Sequence, residues 1–157
     1  MTSGALPTPR SLAPDASELA DIALRDQPGH LIRRAHQIAV SAFHESLGRQ
    51  VTPVQYAVLR VLQGKPGIDQ VTLARETALD TSTTADIAAR LDAKGWIARE
   101  LMARGQRSLQ LTALGQDILD SLIPATTHVQ QELLGRLDAA EQPEFLRLLR
   151  KFVGDAG

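Results

Sequence analysis

Apolar residues recur along most of the chain at the three- and four-residue spacing of an amphipathic helix. Between Gly29 and Leu47 one helical face is apolar and the opposite face is polar; the apolar face consists of Leu31, Ile32, Ala35, Ile38, Ala39, Ala42 and Phe43. The same kind of pattern predicts helices over residues 15–26, 29–47, 53–64, 70–78, 81–94, 112–137 and 138–153. We therefore expect a mainly α-helical fold.

Short polar residues stand where these helices begin, and their side chains can accept hydrogen bonds from the free N–H groups of a first turn. The residues predicted to open helices are Asp15, Thr52, Asp69, Asp80, Thr112 and Asp138. Thr52 precedes Pro53, a typical first helical residue. Pro143 has no backbone N–H, and it would lie so far into the last helix that this missing group destabilises the helix. We therefore expect a distorted first turn or a later start there.

The pattern changes after Trp96, where two short, partly alternating segments replace the helical spacing. Residues 96–101 and 108–112 flank a polar tip that contains Gly105, which predicts a β-hairpin. Residues 1–14 contain three prolines and few large apolar groups, so we expect a flexible tail followed by one domain over 15–157.

Two helices separated by a tight break at Leu79 and followed at once by a hairpin indicate a winged helix-turn-helix. Its two helices are expected to pack through Leu73, Ala74 and Ala78 on the first and Ile87, Ala88 and Leu91 on the second. Side chains predicted to point outward from the second helix, toward DNA bases or phosphates, are Thr81, Ser82, Thr83, Thr84 and Asp86. Arg90 and Lys94 follow on the same helix and suit phosphate contacts.

Charge and composition sharpen this interpretation. The net charge is −1 over 157 residues, but residues 88–111 hold five basic and two acidic side chains, which is a local basic patch. The chain has no cysteine, no apolar run long enough to cross a membrane and no secretory signal, so we expect a soluble cytoplasmic protein, from the bacterial cytosol.

Several motifs in order resemble the MarR family of bacterial transcription regulators, over roughly residues 28–153. They are the Thr-Pro-x-Gln start at Thr52, the Leu-Ala pair at Leu73, the Arg-Leu-x-x-Lys-Gly-Trp-Ile run from Arg90 and the Leu-Thr-x-x-Gly sequence from Leu111. The resemblance implies a DNA-binding lobe near residues 50–112 and a homodimer held by helices near 28–48 and 112–153.

The resemblance also implies a binding mode on double-stranded DNA with a pseudo-palindromic operator. Ser82, Thr83 and Thr84 would face bases in the major groove, and Arg104 and Arg107 would be the wing arginines that reach the minor groove. Which arginine enters the groove depends on how the tip is aligned. Asp86 departs from the usual basic or neutral residue, and a carboxylate there repels phosphates unless it accepts from a cytosine amino group or a neighbouring arginine.

Members of the family release DNA when a small aromatic acid or phenol binds, which predicts a ligand-responsive repressor. The candidate ligand-binding residues are His30, Arg33, His36 and Tyr56, because cationic groups against an aromatic wall suit a flat carboxylate. The alternative is a hydrogen-bonded core histidine, a surface arginine and a packing tyrosine. Within the family, the resemblance around residues 28–40 favours hydroxylated benzoates or pyridine carboxylates as effectors.

Other functional classes fit the residues less well. We expect no enzyme and no cofactor, because the chain has no nucleophile elbow and no phosphate-binding glycine loop. The histidines at 30, 36 and 44 lack the i,i+4 spacing of helical metal ligands, although a metal-responsive regulator using His128 or a partner's carboxylates stays open. A winged helix that binds protein also stays open, because the total charge is near neutral.

Overall fold

Six α-helices and a small antiparallel sheet make up the part of the chain that the computed structural model describes, which is residues 22–103, 105 and 107–154. The helices are α1 (Pro28–Leu47), α2 (Pro53–Gly64), α3 (Gln70–Glu76), α4 (Thr81–Ala93), α5 (Ala113–Leu134) and α6 (Glu141–Val153). The strands are β1 (Ile68–Asp69), β2 (Ile97–Leu101) and β3 (Arg107–Leu111). This arrangement confirms the predicted mainly α fold with a β-wing.

Four of the six predicted N-cap residues are confirmed. Asp15 lies outside the described residues, and Asp138 is a correction, because Ala140 precedes the last helix and no side chain caps it. Thr52 forms a full capping box with Gln55, whose backbone N–H donates to the Thr52 hydroxyl while its side chain accepts from the Thr52 N–H. Asp69, Asp80 and Thr112 each accept from the backbone N–H three residues further on. Local side-chain chemistry therefore sets where these helices begin.

The expected and observed helices differ most at three places, and the remaining boundaries agree to within two residues. The described end of the predicted first helix, whose residues 15–21 lie outside the described part, is a single 3₁₀ turn over Leu24–Asp26. The long helix α5 ends at Leu134 instead of Leu137. The last helix starts at Glu141, after a turn in which the Glu141 carboxylate accepts from the Asp138 N–H, so Pro143 lies in its first turn, as the proline predicted.

The sheet has the order β1-β3-β2, and both pairings are antiparallel. The β2–β3 hairpin matches the predicted wing to within a residue at each boundary, and Gly105 at its tip adopts a φ of +76°. The strand β1 was not expected from the sequence, because it is two residues long and pairs only with Leu109 and Ser108 of β3. This pairing ties the start of α3 to the wing.

One continuous core holds the winged-helix lobe together. Its buried residues come from every element from α2 to α5 except β1: Val58, Leu59, Leu62, Leu73, Ala88, Leu91, Ile97, Leu109 and Leu119. The predicted contact surface of the helix pair is confirmed for Leu73, Ala74, Ala88 and Leu91, which are all buried. Ala78 is a correction, because it is exposed in the turn between α3 and α4, where its φ is +54°.

The start of α5 lies directly against Trp96, the residue before β2. A Cβ added to Gly115 would come within 1.8 Å of the backbone oxygen of Trp96, so no side chain fits there. The Thr112 N–H donates to that same Trp96 oxygen at 3.1 Å. The glycine of the Leu-Thr-x-x-Gly sequence is thus required by close packing between the wing and α5.

The boundary between two compact units of the chain falls within α1, after Ile38, and the lobe described above belongs to the second unit. No helix among the described residues is both long and apolar enough to cross a membrane.

Candidate nucleic-acid interface

The N-terminal turn of α4 carries the exposed hydroxyl groups predicted to meet DNA. Thr81 and Ser82 are exposed and Thr83 is half-buried, while Asp86 is exposed one turn further on. Arg90 is also exposed, toward the end of the helix. A helix with exposed polar side chains on its first turn can enter the major groove.

Asp80 binds the hydroxyl groups of this turn. Ser82 Oγ donates to Asp80 Oδ1 at 2.7 Å, and Thr83 Oγ1 donates to Oδ2 at 2.6 Å. The backbone N–H of Thr83 donates to Oδ1 at 2.7 Å. The Thr83 hydroxyl, followed by the Thr83 N–H and the Ser82 hydroxyl, holds the pKa of Asp80 far below its usual value. The carboxylate is therefore ionised at neutral pH.

Thr84 does not share the exposed surface, so the prediction that it points outward is wrong. Its side chain is fully buried, and its hydroxyl donates to the backbone oxygen of Asp80 at 2.8 Å. Thr84 is one turn before Ala88 and two turns before Leu91, both buried, so helical geometry places it on the inner face.

Lys94, expected to contact phosphate, is exposed but already has partners within the chain. Its Nζ donates to the backbone oxygen of Gln50 at 3.1 Å and lies 4.3 Å from the centre of the Trp96 ring. A phosphate contact from the remaining hydrogens of this ammonium group stays a prediction.

The wing contributes Arg107, which is exposed at the start of β3. Arg104 lies outside the described residues. Arg99, whose charge counted toward the basic patch, instead forms a half-buried ion pair with Asp92, with Nε and Oδ2 2.9 Å apart. This pair links β2 to α4, and it compensates the charge of Arg99.

Sequence reasoning missed a shallow cavity of about 280 Å³ beside the wing tip. It is lined by Asp69, Gln70, Val71, Gly105 and Arg107. The pairing of β1 with β3 brings these segments together, and two residues of strand give no recognisable alternation in the sequence. The first turn of α3 therefore lies beside Arg107.

The four candidate ligand-binding residues lie on α1 and α2. Arg33 donates to His30 Nδ1 at 3.4 Å and to Gln37 Oε1 at 3.0 Å, and His36 is exposed. The Tyr56 hydroxyl donates its hydrogen to Thr126 Oγ1 at 3.2 Å. The Tyr56 ring lies 6.0 Å from that of Phe43. Tyr56 thus has a packing role, whether or not it also meets a ligand.

Metal-ligating side chains do not cluster in the described part of the chain. No three or more of its histidine, aspartate and glutamate residues lie close enough together to hold a metal ion. The exposed His128 of α5 belongs to no such group.

Comparison with known proteins identifies relatives of the whole lobe and its flanking helices. The transcriptional regulator HosA of Escherichia coli is 37% identical over 134 residues, which cover 84% of this chain and 98% of HosA. The structure of PcaV from Streptomyces coelicolor with its natural ligand is similar at a TM-score of 0.81 and 32% identity, covering 87% of this chain and 98% of PcaV.

A second solved structure is BpsR from Bordetella bronchiseptica, whose DNA binding is regulated by 6-hydroxynicotinic acid. It is similar at a TM-score of 0.79 and 29% identity, covering 83% of this chain and 97% of BpsR. The MarR family model matches residues 49–108, which contain the helix pair and most of the wing. These matches confirm the predicted class, a DNA-binding regulator and not an enzyme, and the chain belongs to the MarR family of transcriptional regulators.

Proposed function

We propose that this regulator binds a pseudo-palindromic operator as a homodimer and represses transcription until a small aromatic acid or phenol releases it. The observation that carries the DNA-binding part is the exposed first turn of α4, with Ser82 and Thr83 at its surface and the wing residue Arg107 exposed in the same lobe. Two such turns, related by a two-fold axis, would enter successive major grooves about 10 bp apart.

An unpaired apolar face supports the homodimer. No residue of α6 is buried, and its exposed apolar side chains are Phe145, Leu148, Leu149, Phe152 and Val153. Leu31 and Ile32 of α1 are also exposed. Large apolar groups repeated on one helical face favour burial against another surface, and a second copy would give a two-fold operator.

Sedimentation of the purified chain tests this dimer. We expect a dimer for the wild type and a monomer for Leu148→Glu, because a carboxylate in an apolar interface is left without a partner. Lys151→Glu on the same helix is the matched control and should leave the dimer intact. A monomeric wild type, or a dimer in both variants, would contradict this face as the interface.

The DNA-binding proposal is tested by selecting bound duplexes from a randomised library and mapping protection at low and high salt. Affinity should fall with salt by a log–log slope near −0.9 for each phosphate neutralised. Arg107→Ala should weaken binding to all sequences and reduce that slope by about one. Arg136→Ala, an exposed arginine outside the lobe, is the control. Absence of any protected site at low salt would refute the proposal.

Release by an aromatic acid is supported by the likeness to BpsR and by the basic groups at the start of α1. His30, Arg33 and His36 stand within two helical turns there, and they suit a carboxylate. A ligand can release DNA only by binding the other conformation more tightly, and a typical coupling changes affinity about 5–150-fold.

Titration of 6-hydroxynicotinic acid and 4-hydroxybenzoic acid against the operator complex tests the effector proposal. We expect at least one of them to release DNA from the wild type. His36→Ala and Arg33→Ala should require more acid, while His128→Ala, an exposed histidine on α5, should behave as wild type. Release that is unchanged in His36→Ala and Arg33→Ala would exclude these residues from the effector site.

A further inference from the structure

Three consecutive hydroxyl groups at the start of α4 donate their hydrogens to one residue, Asp80. The Ser82 and Thr83 hydroxyls donate to the two carboxylate oxygens, and the Thr84 hydroxyl donates to the backbone oxygen. The two side-chain bonds, at 2.7 and 2.6 Å, have the short lengths of charge-assisted O–H···O⁻ bonds.

This arrangement determines where the hydroxyl hydrogens point. A serine or threonine hydroxyl has one hydrogen to donate and two lone pairs that accept, whereas an ionised carboxylate can only accept. The hydrogens of Ser82 and Thr83 must therefore point at Asp80. What the two oxygens offer to any other group is lone pairs alone.

The base edges in the major groove differ in whether they donate or accept hydrogen bonds. Adenine N6 and cytosine N4 carry amino hydrogens at the groove edge, whereas guanine O6 and thymine O4 accept hydrogen bonds. Phosphate oxygens also only accept. An oxygen that cannot donate can therefore pair with an adenine or cytosine amino group, and it has no favourable bond to guanine, thymine or phosphate.

We propose that Asp80 sets the base preference of α4. By holding the hydroxyl hydrogens of Ser82 and Thr83, it makes both oxygens read amino-bearing bases, adenine or cytosine, on the contacted strand and disfavour guanine or thymine. Asp80 is thus a positioning residue that acts through Ser82 and Thr83. The proposal rests on the proposed function in one respect, the entry of α4 into the major groove.

Asp86 fits the same preference. It follows Ser82 by four residues and Thr83 by three, so it lies on the same helical face, and it is exposed. An ionised carboxylate also accepts without donating, and cytosine N4 is its usual partner among base edges. An acceptor-rich face explains why an acidic residue is tolerated at this position of a DNA-binding helix.

Asp80→Asn tests the proposal because it should free the hydroxyl hydrogen of Thr83 and leave that of Ser82 bonded to residue 80. The asparagine oxygen must stay where Oδ1 is, since it caps the Thr83 N–H there and also accepts from Ser82. The amide NH₂ then replaces Oδ2 and donates to Thr83 Oγ1, which frees the Thr83 hydrogen to point at DNA. Asparagine caps helices about as well as aspartate, so α4 should still form.

The experiment measures binding of purified protein to a selected duplex and to each of its single base-pair replacements at one salt concentration. Ser82→Ala and Thr83→Val, which remove one hydroxyl each, identify the base pair that each side chain reads. In the wild type we expect adenine or cytosine at both positions, favoured over guanine and thymine by about two- to tenfold.

In Asp80→Asn the preference should weaken or reverse toward guanine or thymine at the position that Thr83 reads and stay unchanged at the position that Ser82 reads. Asp69→Asn, the same exchange at the start of α3, should leave every preference as in the wild type. Thermal melting of both variants checks that their helices are intact.

Three results would overturn the proposal: a wild-type preference for guanine or thymine at these positions, an Asp80→Asn profile identical to wild type, or equal weakening of all duplexes by Ser82→Ala and Thr83→Val. The last of these indicates phosphate contacts. Selection of no specific duplex at all contradicts the proposed function itself, and this inference with it, whereas the three results above leave operator binding in place.

Discussion

The helices α3 and α4 begin with the same four-residue chemistry, an aspartate followed three residues later by a threonine. In residues 69–72 the Asp69 carboxylate accepts from the Thr72 N–H at 2.9 Å and from the Thr72 hydroxyl at 2.8 Å. In residues 80–83 the Asp80 carboxylate accepts from both groups of Thr83 at 2.7 and 2.6 Å. Each cap lowers the pKa of its aspartate.

The two starts differ in the residue before the threonine and in their surroundings. Ser82 adds a third bond to Asp80, whereas the equivalent Val71 is apolar and 69% exposed. Asp69 is also the last residue of β1, which pairs with the wing, whereas Asp80 follows the turn between α3 and α4 and belongs to no strand. Identical capping chemistry thus serves the packing of the lobe at α3 and, in our proposal, the reading of DNA at α4.

The largest effect should come from the buried residue that follows the first cap. Leu73 is fully buried in the core, so Leu73→Ala should lower the free energy of unfolding by about 2–5 kcal/mol through lost burial and a cavity. Urea unfolding measures this. Base preference of the folded fraction should not change, and a loss under about 1 kcal/mol would mean that α3 is not anchored as described.

The next largest effect should be on the pH dependence of stability, which we expect to differ between the caps of α3 and α4. Since folding lowers the pKa of each aspartate, the stabilisation is present above the ordinary value near 4 and is lost as the pH falls through the folded value. Asp69→Ala and Asp80→Ala should each melt about 2–4 °C below wild type at pH 7.

That difference should shrink on acidification, and it should persist to lower pH for Asp80, which accepts one more hydroxyl bond. Melting curves followed by circular dichroism at several pH values decide the matter. A deficit that is independent of pH in both variants would show that the carboxylate charge plays no part in either cap.

A smaller change is expected from Thr84→Val. Valine has nearly the same shape and removes a single hydrogen bond, and the Asp80 backbone oxygen keeps the bond from the Thr84 N–H at 3.0 Å. Stability should change by less than about 1.5 kcal/mol, with the same base preference as wild type. An altered base preference would indicate that Thr84 contacts DNA.

The smallest effect should come from Val71→Ser, which gives α3 the same residue pattern as α4. Because Val71 is exposed, stability should change by less than about 0.5 kcal/mol. Binding to the base-pair replacements should also be unchanged. A new base preference in this variant would show that the first turn of α3 reads DNA as well, which would remove the contrast between the two starts.

Local signals explain what the sequence could predict. The caps at Thr52, Asp69 and Asp80 and the hairpin around Gly105 depend on neighbouring residues, so their positions are confirmed to within a residue or two. Ser82 and Thr83 could also be placed at the surface, because helix starts rich in hydroxyls are exposed unless packing turns them inward.

The features that sequence reasoning missed depend on distant partners. The strand β1 exists through its pairing with Leu109, and the charge of Arg99 is compensated by Asp92, which belongs to a different element. Thr84 carries a hydroxyl like Ser82 and Thr83. It is buried because it lies on the same inner helical face as Ala88 and Leu91. Composition alone cannot distinguish a hydroxyl that caps, packs or reads a base.

Determining the structure of the protein with a selected duplex tests the central claim most directly. We predict α4 in the major groove, with Ser82 Oγ and Thr83 Oγ1 about 3 Å from adenine N6 or cytosine N4 atoms and still bonded to Asp80. If α4 lies outside the groove, or if these two oxygens face phosphates, guanine O6 or thymine O4, the account is wrong.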